Sequence, residues 1–184
     1  MALVNPYIFQ VVGYQNSGKT TVVSTLIKEL NKLGRQVAVI KHHGHGGRPE
    51  LVETKDSVKH VGAGAKVAVV EGGGRLILQA DQPSWNLADE IELIRFFQPD
   101  IILIEGHKKE NYPKLLLLKE KKDLELFHFI SNIKIVLAWE QTLQKQLESI
   151  TSAPSFLIND LKGIAWTVHH IEEQIKRIHS QSKK

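Results

Sequence analysis

The amino-acid sequence predicts an α/β fold, a mostly parallel sheet flanked by helices with an added antiparallel β-hairpin. Short apolar runs rich in β-branched residues alternate with amphipathic stretches of helical period, the pattern of βαβ units. The runs are apolar throughout rather than at alternate positions, as strands covered on both faces require. Between two of them stands Glu71-Gly72-Gly73-Gly74, a turn signal that joins neighbouring strands as a hairpin.

Each element follows in order. Tyr7 to Val12 reads as a buried strand, and Gly13-Tyr14-Gln15-Asn16-Ser17-Gly18-Lys19-Thr20 then matches G-x-x-x-x-G-K-[ST] at every fixed position. Val23, Leu26, Ile27, Leu30 and Leu33 recur at helical spacing, and Gly34 sits where that helix would stop. Strand, glycine loop and helix are the context the motif needs, so the expected architecture is a P-loop NTPase fold. Gln36 to Lys41 reads as the second strand of a βαβ unit. The segment "KDSVKHVGAGA" reads as a short helix with Asp56 or Ser57 near its start. "KVAVV" and "RLILQ" form the expected hairpin, adding antiparallel strands to the sheet. Leu87, Ile91 and Ile94 share one face of a helix for which Ser84 is the expected cap. "PDIILIEG" is a strand ending in Glu105, with Asp100 at its opposite end. "KLLLL" and "IKIVLAW" read as further strands. The last helix carries Ile164, Val168, Ile171, Ile175 and Ile178 on one face. With 184 residues and no linker or repeat, one nucleotide-binding domain over 1–184 is expected.

Composition narrows the function classes. The chain has no cysteine, which removes disulfides and thiolate metal sites and fits a reducing, cytoplasmic setting. The opening "MALVNPYIFQVVGY" lacks a basic flank, so no signal peptide is expected, and "LLLL" is far too short to cross a bilayer. A net charge of +4 and an isoelectric point near 9.2 suit anionic small-molecule partners; neither a nucleic acid nor a membrane is expected.

The chemistry is expected around the glycine loop. Its N–H groups can cradle a phosphate chain at the positive end of the following helix. Lys19 would reach the outer phosphates and the Thr20 hydroxyl would ligate Mg²⁺. Glu105, at a strand end, has the position of a carboxylate for the ion, and Asp56 lies just after the second strand, near the same edge. Lys41 and Lys108 are candidates for phosphates or another anion. "KHHGHGG", Lys41 to Gly47, puts three histidines and three glycines in seven residues. We read it as a ligand-facing loop, with His42 and His43 donating to anions, in preference to a metal site. His60 and His107 can approach the same region. Trp85, Trp139 and Trp166 are expected in the core or partly at the surface rather than as ligand platforms.

Taken in order from Tyr7 to Leu118, the glycine loop, "VIKHHGHGG", "KDSVKHVGAGA", "DIILIEGHK" and "YPK" resemble the molybdopterin-guanine dinucleotide biosynthesis protein B family. The resemblance implies a fold of the class that includes dethiobiotin synthetase, a homodimer extended through added β-structure, and GTP with Mg²⁺ as ligands. It implies an accessory role, with slow hydrolysis at most, beside a molybdopterin guanylyltransferase and its molybdopterin. Carried over, Gly13, Asn16, Ser17, Gly18, Lys19, Thr20 and Thr21 would contact phosphates, Thr20, Asp56 and Glu105 would surround Mg²⁺, and Lys19, Asp56 and Glu105 would carry any catalysis. Many members have acids in the histidine loop, where this chain has Gly46, Gly47 and Arg48. No [NT]-K-x-D base-reading motif is present: Asn31-Lys32-Leu33-Gly34 lacks the acid and Thr54-Lys55-Asp56-Ser57 has it one place early. Two other readings stay open, an ATP-dependent kinase or ligase resembling dethiobiotin synthetase, and a metallochaperone GTPase using His42, His43 and His45.

Overall fold

A computed structural model describes residues 5–42 and 55–181, with backbone alone for 55–58. His43, His45 and the rest of the histidine loop lie outside the described residues, as does the side chain of Asp56.

Six strands form one sheet among the described residues: β1 (Tyr7–Val12), β2 (Val37–Lys41), β5 (Ile101–Glu105), β6 (Lys114–Leu118), β7 (Ile133–Ala138) and β8 (Ser155–Leu157). Their order is β2-β5-β1-β6-β7-β8 and every pairing is parallel. All carboxyl ends therefore meet at one edge, the place where such sheets hold ligands. The continuous apolar runs are explained by cover on both faces, since all five residues of β5 and of β6 are buried.

Period-two alternation sorts these residues between the two faces of the sheet. Phe9, Val11, Leu103, Leu115, Leu117 and Leu137 face α1 (Lys19–Lys32) and α5 (Leu161–Gln181), which contribute Val22, Leu26, Leu30, Ile171 and Ile175. On the other face, Val12, Leu116, Leu118 and Val136 pack with Leu126 of a 3₁₀ segment (Lys121–His128) and with Leu143 and Leu147 of α4 (Gln141–Leu147). Ile40, Ile102 and Ile104 meet Leu87 and Ile91 of α3 (Leu87–Arg95). Burying each such side chain is worth about 1.5–3 kcal/mol before chain entropy is counted, which makes this central sheet the main source of stability. Arg35 clasps the turn after the first helix to the last helix: Nε and Nη2 donate to the two carboxylate oxygens of Glu172 at 2.7 and 2.8 Å. That fork holds the Glu172 carboxyl below its ordinary range.

Three expectations are corrected. The hairpin, β3 (Val67–Gly72) and β4 (Arg75–Ala80), forms a separate two-stranded sheet beside α2 (Lys55–Gly62) and adds no strand to the parallel one. Its turn residues Gly73 and Gly74 have φ of +58° and +79°, the doubly positive pair that a two-residue hairpin turn demands. Asn86, not Ser84, caps α3. Asn86 is extended and its Oδ1 accepts from Asp89 N at 2.9 Å, whereas Ser84 lies ahead of the capping position. Leu33 lies past the end of α1 at Lys32 and is 53% exposed, because the chain turns away there before Gly34.

Lys114 is fully buried in β6, where Nζ donates to the carbonyls of Glu110 and Ser131 at 2.7 and 2.9 Å. Burial lowers its pKa to about 8, although Glu110 opposes the shift. Between pH 8 and 10.5 the unfolded chain keeps this proton and the folded chain sheds it, so stability rises with pH. Relative to Lys114→Met, the wild type is expected to gain roughly 3 kcal/mol across that interval. Urea titrations of both proteins at several pH values check this, and a flat difference would refute the buried titration.

Candidate functional site

Residues 13–20 run from the end of β1 into α1 at the ligand edge of the sheet. A methyl on Gly13 would lie 2.7 Å from Ser17 Oγ and 2.8 Å from the Leu117 carbonyl, so the loop turns over the sheet only because that position is bare. Gly18, at φ +95°, opens the first turn of α1, whose backbone N–H groups have no partner within the helix. Lys19 folds back across the loop and donates from Nζ to the Tyr14 carbonyl at 2.7 Å. Burial lowers the Lys19 pKa while Glu105 opposes that shift, the setting of a cation held in place for an anion. Ser17 Oγ is buried with no hydrogen-bond partner.

The loop forms the floor of a cleft of about 1420 Å³. Of the residues that the sequence marks as candidates, Gly13, Asn16, Gly18, Lys19, Thr20, Thr21, Lys41, His42 and Glu105 line it, while Ser17 lies beneath. Thr20 Oγ1 donates to Glu105 Oε1 at 2.9 Å, and Lys41 Nζ is 3.4 Å from the same oxygen. A hydroxyl and a carboxylate thus meet beside two lysines, a set of hard oxygen donors that fits Mg²⁺ chemistry. The backbone of Asp56 lies in the first turn of α2. A separate hollow of about 450 Å³ between the end of α2 and the base of the hairpin includes none of the loop residues.

Several further residues meet the cleft. Lys108, a candidate from its position, lines it with Lys109, and its Nζ stands 4.4 Å from the centre of the Tyr14 ring. The Tyr14 hydroxyl in turn donates to Glu125. His107 lies beside His42 with ring centres 4.5 Å apart, and its Nε2 is 3.6 Å from Glu90 Oε2, an ion-pair distance but too long for a hydrogen bond. Burial, then the neighbouring His42, lowers the His107 pKa, so the neutral ring is favoured despite Glu90. His60 is absent from the cleft lining. Among the described residues, no three or more His, Asp or Glu side chains gather as a metal site.

Sequence reasoning does not single out Gln10. It is fully buried in β1 and donates from Nε2 to the carbonyls of Gly106 and His107 at 3.3 and 3.0 Å. A signal for it exists, as one amide inside the run "YIFQVV". Trp139 and Asn159 also line the cleft, and Trp139 Nε1 donates to the Ser17 carbonyl at 2.9 Å. Nothing local in the sequence links residues 122 positions apart.

The parallel sheet order, the glycine loop at its ligand edge and the helix that follows define a protein of P-loop NTPase fold. The family described as molybdopterin guanine dinucleotide synthesis protein B, MobB, matches residues 8–139. A Bacillus subtilis protein named a probable molybdopterin-guanine dinucleotide biosynthesis adapter protein is 48% identical over 138 residues, 74% of this chain and 79% of its own. The crystal structure of Bacillus subtilis MobB is similar at a TM-score of 0.74 and 38% identity, over 89% of this chain and 96% of that one. That of a MobB homologue from Bacillus stearothermophilus has a TM-score of 0.64 at 27% identity, over 94% and 98%. This chain belongs to the molybdopterin guanine dinucleotide synthesis protein B family. Among the described residues, no helix is long and apolar enough to cross a membrane.

Proposed function

We propose that this chain is a GTP-binding adapter in molybdopterin guanine dinucleotide biosynthesis, acting as one domain over 1–184. The observation that carries the reading is the convergence of Lys19, Thr20, Lys41 and Glu105 on one side of a glycine loop that opens a helix. Lysines and backbone N–H groups suit a polyphosphate, and Gly13, Asn16, Ser17, Gly18 and Thr21 supply the wall of its cradle. Thr20 and Glu105, with Asp56, would hold Mg²⁺, which when bound would neutralise the outer phosphates. His42 and His43 would donate to the same anion from the end of β2.

Glu105 already engages both Thr20 and Lys41, which favours anchoring over proton abstraction and supports slow hydrolysis. The names of the relatives support the adapter role. A molybdopterin guanylyltransferase as partner, its molybdopterin as neighbouring ligand, a homodimeric state and a cytoplasmic location belong to the same proposal. The choice of GTP rests on the guanine nucleotide that such a pathway consumes.

Calorimetry with GTP and ATP, with and without Mg²⁺, tests this on wild type and Glu105→Gln. GTP is expected to bind at least about tenfold more tightly than ATP, a difference of roughly 1.4 kcal/mol. Mg²⁺ is expected to tighten GTP binding to the wild type and to have little effect on Glu105→Gln. Equal affinities for the two nucleotides would overturn the guanine assignment, and an unchanged Mg²⁺ response would remove Glu105 from the ion site.

A further inference from the structure

We propose that the indole of Trp139 is the stacking platform for the nucleobase, with the Asn159 side-chain amide on the base edge. This rests on the nucleotide reading above and assigns the other half of the same cleft.

The strand order separates the two halves. β5 and β2 lie on one side of β1 and bring Glu105 and Lys41 to the loop. β6, β7 and β8 lie on the other, and the chain just past β7 and β8 brings Trp139, Ile158 and Asn159 to the same cleft. The first half holds cations and a carboxylate, the chemistry of outer phosphates and an ion. The second presents an aromatic ring, an aliphatic side chain and a neutral amide, the chemistry of a base. A polyphosphate on the loop with its outer end at Glu105 therefore leaves its sugar and base toward Trp139.

Trp139 is built as a fixed surface. Its only donor, Nε1, is spent on the Ser17 carbonyl at 2.9 Å, yet the residue remains 46% exposed. The ring edge lies against the bare Gly18, where an added methyl would meet Ile158 Cδ1 at 3.2 Å and Trp139 Cζ2 at 3.5 Å. Ring, aliphatic wall and phosphate loop are thus contiguous. Lys119 Nζ stands 5.7 Å from the ring centre, near enough for a cation–π contact. An amide offers both a donor and an acceptor, which matches the mixed edge of a purine.

The test is calorimetric titration of wild type, Trp139→Ala, Trp139→Phe, Asn159→Ala and Lys19→Ala with GTP and with inorganic tripolyphosphate. Stacking of a base on an aromatic ring gives an expected loss of roughly 5- to 100-fold in GTP affinity for Trp139→Ala. Tripolyphosphate, which has no base, should bind that variant within about twofold of wild type, and Trp139→Phe should keep most of the GTP affinity. Asn159→Ala should weaken GTP and leave tripolyphosphate unchanged.

Equal losses for both ligands in Trp139→Ala would overturn the proposal, since the residue would then only support the loop. Loss of both ligands in Lys19→Ala beside full GTP affinity in Trp139→Ala would sink the base seat and leave the nucleotide reading standing. A wild type that binds neither ligand would remove both. Trp139 fluorescence in a protein carrying Trp85→Phe and Trp166→Phe reads the seat without altering it. GTP should quench that emission and tripolyphosphate should not; no change on saturation with GTP would refute stacking.

Discussion

Lys19→Ala is expected to lower GTP affinity by about 100-fold or more, because charge-assisted bonds to phosphate oxygens are the strong ones in such a cradle. The fold itself should barely notice. The ammonium is partly desolvated and its hydrogen bond goes to the Tyr14 carbonyl, within the loop it serves. Truncating it removes a half-buried charge as well as that bond, so the melting temperature should stay within a few degrees. Calorimetry beside a thermal melt separates the two effects. An affinity within about threefold of wild type would mean that the phosphates do not lie on this loop.

Gly13→Ala should damage both binding and stability. The added methyl would stand 2.7 Å from Ser17 Oγ and 2.8 Å from the Leu117 carbonyl. Ser17 is itself buried, and the carbonyl belongs to a central strand, so neither neighbour can yield cheaply. Overpacking of this kind costs about 1–3 kcal/mol, which for a chain of this length lowers the melting temperature by roughly 4–8 °C at the middle of that range. The loop would rise off the sheet and carry its N–H groups out of register with any phosphate. A stable variant with undiminished GTP affinity would show that the loop has room which the present packing denies it. Gly62→Ala is the control, since its φ is not positive and nothing lies within 4 Å of the position where that methyl would go.

What the sequence reveals depends on how local each feature is. The glycine loop is legible because strand, loop and helix stand together in one stretch and each residue type has a local reason. Glu105 can be placed because a strand's direction fixes which of its ends meets the ligand, and Asp100 falls at the opposite end, where its Oδ2 accepts from Gln36 N at 2.8 Å. The cap of α3 is easily misplaced because Ser84 and Asn86 are both competent, and only the backbone decides between them. β8 has three residues and α4 seven, too few for a period to declare itself. The parallel strand order is a long-range property, and with it goes the meeting of Trp139 with Ser17. Trp139 reads as an ordinary aromatic because its distinction lies in a neighbour, not in its own surroundings along the chain. The hairpin is recognisable, yet its independence from the main sheet is not, since pairing partners are chosen across the fold.

The Gln10 amide has a further consequence for the energetics of the site. By holding the carbonyls of Gly106 and His107 from within β1, it ties the corner beyond Glu105 to the strand that leads into the glycine loop three residues later. Glu105 and the loop that carries Thr20, the two parts of the proposed ion site, are thereby set against each other when the chain folds. The entropy of fixing that corner is then lost during folding, where the whole core contributes, and not when the ligand arrives. For the proposed Mg²⁺, with its strict demands on distance and angle, such preorganisation would be converted directly into affinity.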